Sequence, residues 1–178
     1  MTHTLTSAHR ALAAAGLLLT TGLLHAAALP EALKATASQQ QTMELQATGV
    51  QIYECKAVKD AQPARFEWAF KAPEAELFDA QGRSMGKHYA GPSWEFQDGS
   101  KVVGEVRARD AGPDAKAIPW LLLSAKSNSG SGVFAKTVAI QRIDTVGGQA
   151  PAEGCGAETL GREARISYRA AYRFFETK

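Results

Sequence analysis

Four histidines occur in the chain, His3, His9, His25 and His88, and only His88 lies outside a segment that reads as an export signal. It sits in Gly86-Lys-His-Tyr-Ala-Gly-Pro-Ser-Trp94, a stretch rich in turn formers and aromatics. An imidazole titrates near neutrality, so it serves as base, acid or ligand. Acidic partners near it along the chain are Glu95 and Asp98. His88 paired with either would polarise a water or a hydroxyl, the chemistry of a hydrolase- or lyase-type enzyme. A plainer expectation competes with it. Asp98-Gly99-Ser100 is ordinary turn chemistry, Glu95 fits the solvent side of a short strand, and a loop histidine can simply satisfy backbone groups.

Other side chains suit binding better than catalysis. Trp94 and Trp120, with Tyr89, Tyr53, Trp68 and Phe78, have the types that line a pocket for an apolar or sugar-like ligand. In a small β domain the same rings also serve as core. Arg142 shares a strand face with Ile140 and needs a carboxylate or a ligand anion there. Asp144, two residues along, suggests a surface Arg–Asp pair. The residues His88, Tyr89, Trp94, Trp120 and Arg142 are therefore the ligand-binding candidates.

Several chemistries are absent from the sequence. There is no phosphate-binding glycine loop, no GxSxG around a serine and no HExxH. Met85-x-x-His88 is too little for a copper site. We expect no metal and no cofactor. With 20 basic and 18 acidic residues, a nucleic-acid partner is not expected. Arg165, Arg169 and Arg173 recur every four residues and read as a solvated strand face that protects a sheet edge.

Residues 1–28 read as a signal peptide. His9 and Arg10 form a weakly basic start, Ala11–Leu24 is apolar, and Ala26-Ala27-Ala28 supplies the small residues a peptidase cuts after. The apolar stretch is about 14 residues, short of the roughly 20 that span a bilayer. Removing 28 of the 178 residues leaves 150, with His88 as the one histidine. A periplasmic or extracellular location follows, with no membrane span after cleavage. In that oxidising setting an even cysteine count favours a disulfide, and Cys55 with Cys155 is the one pairing available.

The elements that must position these groups are mostly strands. Residues 30–46 favour a helix, with Pro30 at its first turn and Glu31, Ala32, Leu33 and Lys34 as good formers. From Val50 the period becomes two. Phe66, Trp68 and Phe70 alternate with Arg65, Glu67 and Ala69, and Asp98-Gly99 marks a hairpin. Ile118–Ala125 is a continuous apolar run that suits a strand buried on both faces. Ile166, Tyr168, Ala170, Tyr172 and Phe174 share one face of a final strand. The pattern predicts residues 29–178 as a single all-β domain, a sandwich or barrel of eight or nine strands with one N-terminal helix.

Segments along the mature chain carry a resemblance. They include Gly49-Val-Gln-Ile-Tyr-Glu-Cys55, Ala72-Pro-Glu-Ala-Glu-Leu-Phe-Asp79, Gly86–Trp94, Ile118-Pro-Trp-Leu-Leu-Leu123, Thr145-Val-Gly-Gly148, Gly154-Cys155 and Tyr168-Arg-Ala-Ala-Tyr172. In their order and spacing the chain resembles an uncharacterised, mostly secreted family known as domain of unknown function 3455. The resemblance implies no activity. The leading expectation is an exported all-β protein with a small-molecule ligand, in a binding or accessory role. The alternatives are the His88 enzyme and a structural or interaction protein of the cell envelope.

Overall fold

The computed structural model describes residues 28–178. The expected signal segment, apart from Ala28, lies outside the described residues. Eight antiparallel strands follow one another around a closed barrel: β1 (Gln39–Ala57), β2 (Phe66–Phe78), β3 (Ser84–Tyr89), β4 (Ser93–Phe96), β5 (Lys101–Asp110), β6 (Trp120–Ser129), β7 (Ala139–Gly147) and β8 (Glu163–Thr177). Each strand pairs with its neighbours in sequence, and β8 returns to pair with β1.

Two expectations need correcting. The helix over residues 30–46 is absent; one 3-10 turn at Glu31–Leu33 takes its place, and Gln39–Leu45 already belongs to β1. Helix propensity is local and weak, and here pairing overrides it. Gln39 stands opposite Thr177, and Leu45 opposite Tyr172. Leu45 and Ala47, two residues apart, are both buried. Closure also means that Arg165, Arg169 and Arg173 guard no edge. Arg173 pairs with Glu44 on the adjacent β1, and Arg165 reaches over β1 to Glu74 on β2. Such exposed pairs are worth only about 0–1 kcal/mol each.

Alternation sends one set of side chains into the barrel and the other out. At one end the interior is solid. Leu45, Leu77, Phe96, Val102, Ile140 and Phe174 meet there around Phe134, all buried. Phe134 comes from the β6–β7 connection rather than a strand. Its N–H donates to Ser100 Oγ, and its carbonyl accepts from Asn128 Nδ2 at 2.7 Å. Its ring lies 4.5 Å from that of Phe174. The loop plugs this end of the barrel.

Within Ile118–Ala125 the inward Leu121 and Leu123 are buried, while of the outer face Trp120 is buried and Leu122 and Ser124 are half-buried, so the outside is covered only in part, by a second layer. Leu33 is fully buried against Trp120, Ile143 and Ala171, outside the barrel. Gln141 Nε2 donates to the Leu33 carbonyl at 2.6 Å, which fixes the strap in place. The Cys55–Cys155 disulfide is present, joining β1 to the β7–β8 connection. Among the described residues no helix is long and apolar enough to cross a membrane.

Candidate functional site

The opposite end of the barrel is hollow. There β3 ends and β4 begins, β5 ends and β6 begins, and β7 ends before β8. A cavity of about 470 Å³ opens between these connections. Gln51, Tyr53, His88, Trp94, Leu121, Leu123, Arg142 and Tyr172 form much of its wall, with Phe70, Lys71 and Arg109 toward the outside.

His88 reaches this cavity through register. It stands opposite Ala75 on β2 and Trp94 on β4, so all three project inward. The His88 and Trp94 rings stack with centroids 4.4 Å apart, and Tyr172 leans on both. His88 Nδ1 lies 2.9 Å from the Ser93 carbonyl. A carbonyl only accepts, so Nδ1 carries the proton and Nε2 keeps its lone pair. Burial pushes the His88 pKa down to about 3. The Ser93 bond opposes that shift and the Arg142 charge adds to it. The ring is neutral at any physiological pH.

Among the described residues no carboxylate hydrogen-bonds His88. Glu95 stands opposite Lys87, one residue out of phase with the inward pair, and accepts from Tyr89 Oη at 2.7 Å. Asp98 is at the plugged end, where it accepts from Ser100 and the Val133 N–H. Those bonds, the Ser100 hydroxyl first, hold its carboxyl below the usual range. The acid–base pairing of His88 with Glu95 or Asp98 is therefore not assembled.

Of the five binding candidates, His88, Trp94 and Arg142 come together at the cavity. Tyr89 faces outward with Glu95. Trp120 also faces outward, under Leu33. Among the other aromatics Tyr53 lines the cavity, while Trp68 donates its Nε1–H to the Glu153 carbonyl elsewhere.

Arg142 makes no surface pair with Asp144. A bulge between Ile143 and Val146 breaks the alternation there, and Asp144 turns to a positive φ of 50°. Arg142 points inward and donates through Nε and Nη2 to the Pro119 carbonyl, at 3.1 and 2.8 Å. Thr145 Oγ1 donates to the Ile118 carbonyl and Gln149 Nε2 to that of Ala117. These bonds hold the β5–β6 connection in place at the mouth. Tyr53 Oη donates to the Gly148 carbonyl at 2.6 Å and fixes another part of the rim.

The sequence reading missed Gln51, Arg109 and the polar role of Tyr172. The period-two pattern puts Gln51 in phase with Tyr53, which was a usable signal. Trp94 Nε1 in the cavity and Trp120 Nε1 outside it are buried without a hydrogen-bond partner among the described residues, and Gln51 Nε2, Tyr168 Oη and Tyr172 Oη reach only one another and Arg142, in no well-formed hydrogen bond. An unpaired buried polar atom costs about 1–3 kcal/mol, and native structures hold few of them. Burial raises the pKa of Tyr172, so its hydroxyl keeps its proton.

The model of a protein family described as Protein of unknown function (DUF3455) matches residues 36–176. No curated protein and no solved structure matches the chain.

Proposed function

We propose a small-molecule binding role for this chain, which belongs to the DUF3455 family. Its site is the interior of the barrel. One observation carries this: a cavity walled by aromatic and aliphatic side chains holds buried polar groups, Trp94 Nε1 with no partner among the described residues and Gln51 and Tyr172 with no well-formed one. Eight strands make a barrel just wide enough to hold one small ligand, and pockets of about 300–1,000 Å³ are the usual size. The mouth is held by Arg142, Thr145, Gln149 and Tyr53, so the site is largely formed before a ligand arrives. The signal-like segment and the disulfide support work in the periplasm or outside the cell. Trp94 is 1 % exposed inside a concavity, which gives the surface-patch alternative no support.

Titration with the neutral dye N-phenyl-1-naphthylamine tests this, following its emission and the quenching of tryptophan. Saturable one-to-one binding is expected. Val106→Trp, which fills the cavity, should abolish it. Failure of both this dye and its sulfonated analogue to saturate, or binding that survives Val106→Trp in a folded variant, would overturn the proposal.

A further inference from the structure

We infer that the ligand carries an acid group beside a flat apolar body, and that Arg142 holds the acid. This rests on the binding role proposed above and names the class of molecule.

The first support is the charge of the lining. Lys71, Arg109 and Arg142 contribute to the wall, and no aspartate or glutamate does. Lys71 is engaged by Glu163 and Glu54 on the outer side. Arg142 and Arg109 form no ion pair among the described residues. Arg142 is half-buried in the barrel, and the Pro119 carbonyl offsets only part of the cost of drawing its charge from water.

The second support is geometry. The Pro119 carbonyl takes the Nε hydrogen and one on Nη2. The remaining Nη hydrogens are shared between the Tyr172 hydroxyl and the cavity, and the guanidinium plane is held by the bonds already made. A fixed planar fork is the donor that matches a carboxylate or sulfonate.

The third support is the sense of the unpartnered groups. Trp94 Nε1 and Gln51 Nε2 only donate, and the Tyr172 hydroxyl is able to donate. A wall short of partners for its donors suits a ligand rich in acceptors. An ammonium ligand would meet like charges and find few acceptors. The stacked His88 and Trp94 rings, with Leu121 and Leu123, offer the apolar part a flat surface.

The test compares two probes of the same body. One is 1-anilinonaphthalene-8-sulfonate, and the other is N-phenyl-1-naphthylamine, which lacks the sulfonate. The wild-type protein should bind the anionic probe at least ten-fold more tightly. Arg142→Gln should remove most of that preference, read as the ratio of the two affinities, because loss of the Pro119 bonds at the mouth weakens both probes alike. Equal affinities in the wild type, or a preference for the neutral probe, would overturn the acid-group inference and leave the binding role standing. If neither probe saturates, the binding role itself fails. An anionic preference that survives in folded Arg142→Gln, or in Val106→Trp, places the sulfonate elsewhere and also overturns the inference. Should Arg142→Gln not fold, Arg142→Lys keeps the charge and removes the fork. A ten-fold loss is then expected, and an unchanged affinity counts against the fork.

Discussion

His88 and Trp94 face each other directly across β3 and β4, with their rings stacked at 16° between planes. The stack closes the base of the cavity, and Trp94 also meets Phe174 of the plugged half at 6.2 Å. One pair of rings thus separates the solid half of the barrel from the hollow half. A charged imidazole in that position would have no counter-ion, which is why its neutrality matters.

That neutrality has a pH signature. The unfolded chain takes up a proton at His88 near its ordinary value of 6.5, whereas the folded chain does so only near 3. The unfolded state therefore binds more protons in that window, and stability falls as pH falls through it. The slope from this group approaches about 1.4 kcal/mol per pH unit. Urea unfolding of wild type and His88→Gln at pH 7, 5.5 and 4 should show a shallower acid loss in the variant. Parallel curves would mean that the histidine titrates normally.

The disulfide closes a loop of 100 residues. Replacing Cys55 and Cys155 together with alanine should cost about 2–5 kcal/mol. Dithiothreitol should lower the unfolding midpoint of the wild type and leave the double variant unmoved. A wild type indifferent to reduction would refute the cross-link's contribution.

Leu33→Ala probes the outer strap. Leu33 is fully buried between Trp120 and Ile143, so truncation should cost about 2–5 kcal/mol. Because Trp120 lies under the strap and away from the cavity, its emission should shift to the red while probe affinity is unchanged. A loss of probe binding in a folded variant would show that strap and cavity are coupled.

Gly104→Ala probes the inner wall from β5. A methyl group there would lie 2.9 Å from the Trp94 ring and 3.0 Å from Leu123. The indole must shift, and overpacking of this kind costs about 1–3 kcal/mol. Weaker binding of the neutral dye and altered tryptophan emission should accompany the loss. An unaffected variant would mean that the wall yields without strain.

The β architecture was legible because alternation is a local property. Tyr168, Tyr172 and Phe174 occupy the inward face that their spacing predicts. The continuous apolar run at Ile118–Ala125 signalled burial on both faces, which holds at Trp120 but only by half at Leu122 and Ser124, and nothing local showed that Leu33 would be the cover. Residues 39–46 were misread since their partner, β8, lies more than a hundred residues away. The site was legible in part. His88, Trp94 and Arg142 were singled out by type, but a one-residue phase difference in a strand sends Glu95 to the opposite face. The bulge that separates Asp144 from Arg142 leaves no mark in composition. Gln51 was passed over because a lone glutamine in a strand looks like solvent-facing chain.

The meander has a consequence for how the molecule is presented. Ser38, just before β1, accepts a hydrogen bond at 2.9 Å from the N–H of Lys178, just after β8. Both lie at the Phe134 end, pointing away from the cavity. A bead, surface or fusion partner attached through Lys178 would therefore hold the barrel upright with its opening toward bulk solution. Immobilised in that orientation, the protein offers its interior to passing solutes unobstructed by its own tether.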